Sequence, residues 1–534
     1  MKQWYAFLIF LLLFTHYSWT QQKSLIGKII EVIPKQSSTS GNDVFIKFKS
    51  LNDTSIYLID DFYTIYMIEY AHKILLEDYI HCIDTMNIIV RFDNITKSAR
   101  KVNGLKQTFI TDWKKIYPKY PDTTLSFLYE EINPGIPEED FYQRFITVPV
   151  SYKDSSRGTF KLYYELCSDY DPKKPTILIP TDGQRTLSQV GWADRYKKMF
   201  NLEYNTVTYE YRGMFCSKIP LIEKKGADWK TIYGILNSDN VVEDIERIRR
   251  DLLGDKPFYI LGGSGTAMIG LKYIAKYPQN VKRAFLMSFF KDARGSSESG
   301  VMFFTNFLKE NTLLDAFFKA IENPSVNKEH LLFLIQRLLY FNKEETKNLI
   351  IDVSQGDLNR YRKYTRMVGT VDYFIRSAQK YKPWTVVFMF ETNIPTQLDK
   401  RLDINYPFLK MAEPLLSVFE NPEEYKKRLF YIKNLETVNT EILLVAGTMD
   451  QVAPVSELKR IHNELPNSKL ALFKAYHSLQ APEGARQCRN QMTNIFFKYG
   501  FNSDELENFL QKSKATSGFV GWEEKDTDKK GENL

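Results

Sequence analysis

Short apolar segments alternate with helical patterns from residue 145 onward, and this alternation constrains the fold more than any other feature. Eight apolar segments have the length of a buried β-strand: 145–152, 159–167, 176–180, 206–211, 258–261, 283–288, 442–446 and 469–475. Helical patterns separate the later ones, for example 240–253, where Val241, Ile245 and Ile248 share one face. Near-continuous apolar strands between helices are typical of a mostly parallel sheet covered on both faces. We therefore predict an α/β fold.

The alternation stops between two of these strands. Residues 291–438 carry apolar side chains at helical spacing, including Phe303, Phe307 and Leu314. This pattern predicts a helical cap inserted into a sheet domain that is built from 145–290 and 439–502.

The regions outside the sheet domain have a different character. Residues 21–140 contain strand-like stretches and a long segment, 60–80, with a helical appearance, which together suggest a small α+β domain of unknown role. The strand-like stretches are 25–34, 43–49 and 87–92. A Pro/Gly cluster at 132–140 marks the predicted boundary. The polar, charged tail 513–534 is predicted to be disordered.

The N-terminus has the pattern of a secretory signal peptide. Lys2 precedes an apolar run at 4–14, and Ser18 and Thr20 suit a cleavage site before Gln21. The alternative, a membrane anchor, is disfavoured because spanning a bilayer takes about 20 apolar residues. We therefore expect 1–20 to be removed and the mature protein to be exported, periplasmic or extracellular, with no stable membrane insertion.

Composition excludes several classes of protein. A hydrophobic fraction of 43% is that of a globular chain. A net charge of +7 over 534 residues is too weak to indicate a nucleic-acid partner. The four cysteines form no Cys-x-x-Cys motif or Cys/His cluster, so no metal site is expected, and their pairing stays open. These cysteines are Cys82, Cys167, Cys216 and Cys488.

The segment LGGSGTA at 261–267 carries the clearest chemical signal. It lies between a short apolar strand and a helical pattern, the context in which a sharp turn exposes a nucleophilic serine, here Ser264. The backbone N–H of Gly265 would then donate to an oxyanion at the helix N-terminus. The spacing excludes a phosphate-binding loop, because Leu271 and Lys272 follow Gly270, and a dinucleotide fingerprint, because Met268 stands where its third glycine belongs. A purely structural turn stays open on this motif alone.

A serine nucleophile needs a base and an orienting carboxylate, which in this arrangement follow it in the order acid, then histidine. Asp450 lies in the loop after the strand 442–446, and His477 follows the strand 469–475. Of the six histidines, only His477 directly follows a late strand. Three residues in the correct order, each at a strand end, favour a Ser264–His477–Asp450 triad over coincidence.

The stretch 237–288 resembles the nucleophile region of the prolyl aminopeptidase and tripeptidyl aminopeptidase family of α/β-hydrolases. The shared features are a helix ending in IERIRRDLLG, the GGSG turn, and Tyr277-Pro278. The turn EYRGMFCS at 210–217 and the loop GTMDQVAP at 447–454 are similar to further motifs of that family. The resemblance covers about 145–500 and implies an α/β-hydrolase fold with a helical cap, but it does not extend to 21–140.

Departures from the family pattern concern the oxyanion site. Thr266 replaces a glycine, and the loop PTDGQ at 180–184 replaces the family's glycine-rich loop. We place the second oxyanion donor at Thr181 or Asp182, where an acidic side chain would help only if it pointed away. Aminopeptidases of this type hold the substrate amine with cap carboxylates, for which this chain offers Glu310, Glu322 and Glu391 without a basis for choice.

Three functions follow from these features. The first is an exported serine hydrolase, aminopeptidase-like, that cleaves a peptide amide through an acyl-enzyme and needs no cofactor or metal. The second is a carboxylesterase that uses the same residues on small esters, since the fold hosts many chemistries. The third is a non-catalytic binding protein, which the complete triad argues against. The expected partner is a small-molecule or short-peptide substrate, and the oligomeric state stays open.

Overall fold

The computed structural model describes residues 139–526, with gaps at 185–189, 215, 224–226, 340–342, 369–370, 372–374, 376–377, 380–381, 396–397, 451 and 480–481, together with four strands before residue 92. The chain divides into two compact units. One comprises Met1–Pro137 with Arg366–Val368, and the other comprises Glu138–Thr365 with Gly369–Leu534.

The first unit contains a four-stranded antiparallel sheet in the order β3-β2-β1-β4. Its strands are β1 (Ser24–Pro34), β2 (Val44–Ser50), β3 (Ile56–Asp60) and β4 (Asn87–Arg91). The predicted strands 25–34, 43–49 and 87–92 correspond to β1, β2 and β4, whereas β3 was not predicted. The proposed signal peptide at 1–20 and the helix expected within 60–80 lie outside the described residues.

The second unit is built on a nine-stranded sheet in the order β13-β12-β11-β10-β9-β7-β8-β6-β5. Its strands are β5 (Gln143–Pro149), β6 (Thr159–Leu166), β7 (Thr176–Leu178), β8 (Asn205–Tyr209), β9 (Phe258–Gly263), β10 (Val281–Met287), β11 (Glu441–Gly447), β12 (Ser468–Phe473) and β13 (Phe519–Glu523). All eight strands predicted from apolar runs are present. The predicted α/β class is confirmed.

Six neighbouring strands run parallel, in the sheet order β8, β7, β9, β10, β11, β12. Antiparallel strands complete both edges. Parallel strands end at one edge of the sheet, so the loops after β9, β10, β11 and β12 are brought together there. Side chains such as Phe285, Leu443 and Phe473 are fully buried within the parallel strands. This burial explains why these strands are continuous apolar runs in the sequence.

Helices cover the sheet and fill the long insertion. Those before β10 are α1 (Trp192–Met199), α2 (Pro220–Glu223), α3 (Trp229–Leu236), α4 (Ser238–Leu253) and α5 (Gly265–Lys276). Those between β10 and β11 are α6 (Ala293–Glu310), α7 (Leu314–Glu322), α8 (Lys328–Leu339), α9 (Lys343–Ser354), α10 (Asn359–Val368), α11 (Pro383–Thr392), α12 (Tyr406–Met411), α13 (Glu413–Val418) and α14 (Pro422–Lys426). Those after β11 are α15 (Val455–Glu464), α16 (Glu483–Tyr499) and α17 (Asp504–Ser517). We call the helical segment from α6 to α14 the cap.

The C-terminal segment is ordered further than its polar composition predicts. Helix α17 continues to Ser517, and β13 pairs antiparallel with β12 through Phe519, Gly521 and Trp522. Phe519 is buried against the aromatic ring of Phe473. The prediction of disorder from 513 onward is therefore wrong as far as Glu523, because a few apolar side chains suffice to add one edge strand. Residues 527–534 lie outside the described part of the chain.

Two further findings concern the described residues. No helix among them combines the length and apolar character needed to cross a bilayer. Cys167, Cys216 and Cys488 are buried, and none of the three takes part in a disulfide.

Candidate active site

Ser264 occupies a strained turn between β9 and α5. Its backbone has φ 57° and ψ −133°, and its N–H donates to the carbonyl of Met287 on the neighbouring strand at 2.9 Å. A Cβ at Gly262 would lie 2.8 Å from the Cα of Ala267, so only glycine allows the helix to start this close to the strand. These contacts are those of a strand-to-helix turn that presents the serine side chain at the sheet edge.

Thr266 stabilises this turn through its side chain. Its hydroxyl donates to the carbonyl of Gly263 at 2.8 Å, and it accepts the N–H of Gly263 at 2.9 Å. The side chain is buried, with 5% exposure. Thr266 therefore forms two hydrogen bonds across the turn.

Asp450 and His477 are in direct contact. The Nδ1 atom of His477 lies 3.0 Å from both carboxylate oxygens of Asp450. Because an ionised carboxylate can only accept, this contact places the imidazole proton on Nδ1 and leaves Nε2 as the basic nitrogen. Asp450 Oδ1 also accepts the backbone N–H groups of Val452 at 2.9 Å and Ala453 at 3.0 Å, which fixes the carboxylate.

The residue after His477 contacts the Ser264 turn. A Cβ at Gly263 would lie 3.0 Å from Ser478 Oγ, so the histidine loop and the serine turn pack against each other. The N–H of Ser478 donates to the hydroxyl of Ser288 at 2.9 Å, and its carbonyl accepts from Arg489 at 3.0 Å. Ser264, Ser288 and Ser478 all have positive φ, a backbone strain that clusters at functional sites.

The loop at 181–184 lies directly beside Gly265. A Cβ at Gly265 would lie 2.7 Å from Asp182 Oδ2 and 2.9 Å from Gln184 Nε2. Asp182 Oδ1 accepts the N–H of Gln184 at 2.7 Å, and the Thr181 hydroxyl donates to the carbonyl of Tyr209 at 2.5 Å. The structure therefore brings Asp182 next to Gly265, whereas the Thr181 hydroxyl bonds to the end of β8. However, the Asp182 carboxylate faces the Gly265 backbone and does not point away from it.

Ser264 and Gly265 open into a pocket of about 740 Å³, counting the solvent at its mouth. The cap provides most of its wall, through α8, α11 and the segment 404–408. Its polar side chains are Gln184, Ser264, Gln336, Thr392, Asn393 and Asn405. The remaining lining residues are apolar or glycine. Among the described lining residues, none carries a charge.

The three cap carboxylates considered for an amine site do not line this pocket. Glu310 and Glu322 are exposed. Glu391 is buried, and its two oxygens accept the N–H of Ser238 at 3.1 and 3.2 Å, which attaches α11 of the cap to the start of α4. Burial raises the pKa of Glu391 to about 7. Its place is a contact between cap and sheet domain.

The turn at 210–217 has a structural role. Arg212 is fully buried and forms two hydrogen bonds with Asp244, at 2.7 and 2.8 Å, and its guanidinium also donates to the carbonyls of Val150 and Ile235. Burial raises the pKa of Asp244 above its ordinary value, although Arg212 opposes this shift. The ion pair joins the loop after β8 to helix α4.

The sequence patterns do not identify several residues of the site. Gln184 ends the loop 180–184, in which only Thr181 and Asp182 are predicted as oxyanion donors. Ser288 and Arg489 hold the histidine loop, and Gln336 lines the pocket from the cap. Among the described residues, no group of three or more His, Cys, Asp or Glu side chains is arranged to hold a metal ion.

Comparisons with known proteins identify the fold. The family model for the α/β hydrolase fold matches residues 190–483, more than half of the chain. No curated protein shows a significant match. A serine hydrolase from Cycloclasticus zankles is 14% identical, with a TM-score of 0.35, covering 68% of this chain and 100% of its own.

Other solved structures are similar at the same level. A meta-cleavage product hydrolase from Pseudomonas fluorescens is 15% identical, with a TM-score of 0.35, covering 64% of this chain and 94% of its own. An acetylester hydrolase from Corynebacterium glutamicum is 13% identical, with a TM-score of 0.33, covering 70% and 96%. At these identities and TM-scores the likenesses carry no argument about substrate, which has to come from the chemistry of the pocket.

Proposed function

The chain belongs to the α/β-hydrolase fold family, and we propose that it is a serine hydrolase that cleaves esters of uncharged acyl substrates. The observation that carries this proposal is a strained serine turn at the mouth of a pocket whose described side chains are all neutral. The Asp450–His477 contact at the same sheet edge supports it.

In the proposed reaction, Ser264 Oγ attacks the acyl carbonyl while His477 Nε2 takes the serine proton. Asp450 keeps the other ring nitrogen protonated and stabilises the imidazolium that forms. The tetrahedral intermediate collapses, His477 returns the proton to the leaving alcohol, and an acyl-enzyme remains. A water, deprotonated by the same histidine, attacks that acyl group and releases the acid.

Two donors are proposed for the oxyanion. The N–H of Gly265 belongs to the first turn of α5, where no intrahelical acceptor exists. The second donor is a backbone amide at Thr181 or Asp182, or the side-chain amide of Gln184. Gln184 is a neutral N–H donor beside Gly265, and it lines the pocket.

The neutral lining is the reason to favour esters over peptides with a free N-terminus. An α-amine has a pKa near 8 and is mostly charged at neutral pH. Enclosing that ammonium without a carboxylate would cost several kcal/mol. The aminopeptidase reading needs such a carboxylate, and Glu391, the buried candidate, bonds to Ser238 instead.

A substrate panel tests the proposal. Purified protein is assayed on 4-nitrophenyl esters of short acids and on aminoacyl and tripeptidyl anilides, with Ser264→Ala as control. We expect serine-dependent cleavage of the esters and little of the anilides. Cleavage of unblocked anilides that is lost on blocking the amine would overturn the ester assignment in favour of an aminopeptidase.

We also propose that the protein is exported after cleavage before Gln21. The pattern of residues 1–20 supports this. N-terminal sequencing of the secreted protein should begin at Gln21, and a protein that retains Met1 inside the cell would contradict export.

A further inference from the structure

Gln336 places a buried amide in the wall of the substrate pocket. It lies on α8 three residues before Leu339, and both residues line the pocket, as expected for neighbours on one helix face. Gln336 is only 4% exposed. Its Oε1 atom is buried and has no hydrogen-bond partner among the residues that the structure describes.

A buried acceptor without a hydrogen-bond partner is unusual. Buried side-chain oxygens nearly always have a partner, because removing them from water without one costs free energy. Leu339, Ile404 and Phe408 line the same pocket, and their apolar side chains carry no hydrogen-bond donor. A leucine at 336 would fill this position without that cost, so the amide points to a ligand group that completes it.

The charge of the site limits what that group can be. A neutral amide oxygen accepts well from a neutral O–H or N–H, whereas a buried ammonium needs a carboxylate. Since the described lining holds no carboxylate, the matching group is uncharged.

We propose that Gln336 is a specificity-determining residue whose Oε1 accepts a hydrogen bond from an uncharged hydroxyl or amide N–H on the acyl part of the substrate. This inference rests on the proposed ester hydrolase for its assay. It adds that the preferred acyl group carries an uncharged hydrogen-bond donor.

The test uses pairs of esters that differ only in the donor. One series consists of 4-nitrophenyl esters of acids with a terminal acetamido group, paired with the same esters methylated on that nitrogen. A second series pairs terminal hydroxyl with methoxy, so that the two series separate N–H from O–H donors. Several chain lengths are included. We expect a preference in kcat/KM for one donor of roughly 10-fold or more.

Variants assign that preference to Gln336. Gln336→Leu should bring the donor preference close to 1. An additional 4-nitrophenyl ester whose acid ends in an ammonium group is assayed as well, and Gln336→Glu should raise the relative rate on it. Gln379→Leu is the matched control, because Gln379 is a cap glutamine that donates to the carbonyls of Lys410 and Met411 and does not line the pocket. This control should keep the wild-type preference.

The outcomes separate the two proposals. If the wild-type protein hydrolyses the esters without a donor preference, or if Gln336→Leu keeps the preference, the role of Gln336 is overturned. If no ester is hydrolysed, binding of the corresponding carboxamides is measured by calorimetry. Donor-dependent binding that is lost in Gln336→Leu would support Gln336 and overturn the ester hydrolase, and binding without such dependence would overturn both.

Discussion

The sheet domain and the cap meet at one pocket, but they build their shares of it differently. In the sheet domain, Asp450 and Ser478 are held by backbone hydrogen bonds or by neighbouring side chains at defined distances. In the cap, Gln336 lines the pocket with a buried side-chain oxygen that has no partner among the described residues. The sheet edge is thus organised without substrate, whereas the proposed role of Gln336 would have substrate complete part of the cap wall.

This contrast predicts different kinds of kinetic effect. Changes at the sheet edge should lower the rate for every substrate alike, because they remove groups that act on the reacting atoms. Changes in the cap wall should alter the ratio between substrates. The predictions below run from the largest expected effect to the smallest.

Ser264→Ala should have the largest effect. Loss of the proposed nucleophile is expected to lower kcat by roughly 10⁶-fold, while the thermal unfolding midpoint stays near that of the wild type. Steady-state kinetics on a hydrolysed ester measures this. Retained turnover would place the chemistry elsewhere.

Asp450→Asn should lower kcat by roughly 10⁴-fold, because an amide no longer favours the His477 tautomer with the proton on Nδ1. The loss should be equal for esters with and without a donor group, which separates this sheet-edge residue from Gln336. A loss of kcat that differs between those esters would show that sheet-edge residues also determine substrate preference, which contradicts the distinction drawn between sheet domain and cap.

Arg212→Ala tests the framework rather than the chemistry. It leaves Asp244 buried without its charged partner, which should lower the free energy of unfolding by about 3–5 kcal/mol. Urea unfolding measures the change, with Arg250→Ala as control. Arg250 also bonds a carboxylate, Glu246, but its side chain is 64% exposed, so its loss should destabilise the protein far less. Equal losses in both variants would contradict the role given to Arg212.

Glu391→Gln should have a smaller, pH-dependent effect. The folded-state pKa of Glu391 is about 7, above the ordinary 4.5, so the folded state binds the proton more tightly than the unfolded state. Wild-type stability should therefore fall as pH rises from about 5 to 8, by on the order of 1–3 kcal/mol. The glutamine variant lacks this titration and should become the more stable form at pH 8.

Urea midpoints of both proteins at pH 5 and pH 8 test this linkage. Glu322→Gln, at an exposed cap carboxylate, serves as the control. A stability difference between wild type and Glu391→Gln that does not change with pH would show that the carboxylate does not titrate in this contact.

The features predicted from sequence are those whose physical cause acts between residues that are close together in the chain. β9 and β11 are apolar over most of their length because both faces of the sheet are covered, and that burial is visible as composition. The Ser264 turn requires glycines at close contacts, so it too leaves a pattern. β13 escaped prediction because its pairing with β12 depends on a distant partner.

Sequence alone therefore established most of the described strands, the helical insertion and the residues that end the strands. The spacing of buried residues along a strand or helix, and the steric requirements of a tight turn, depend on residues a few positions apart in the chain. The tertiary structure decided what Gln336 and Ser288 contact, and that Glu391 joins the cap to α4 instead of facing the pocket. Those roles depend on which elements lie side by side. The sequence does not show whether the hydrogen-bond partner of a buried polar side chain is a helix terminus, a neighbouring loop or a substrate.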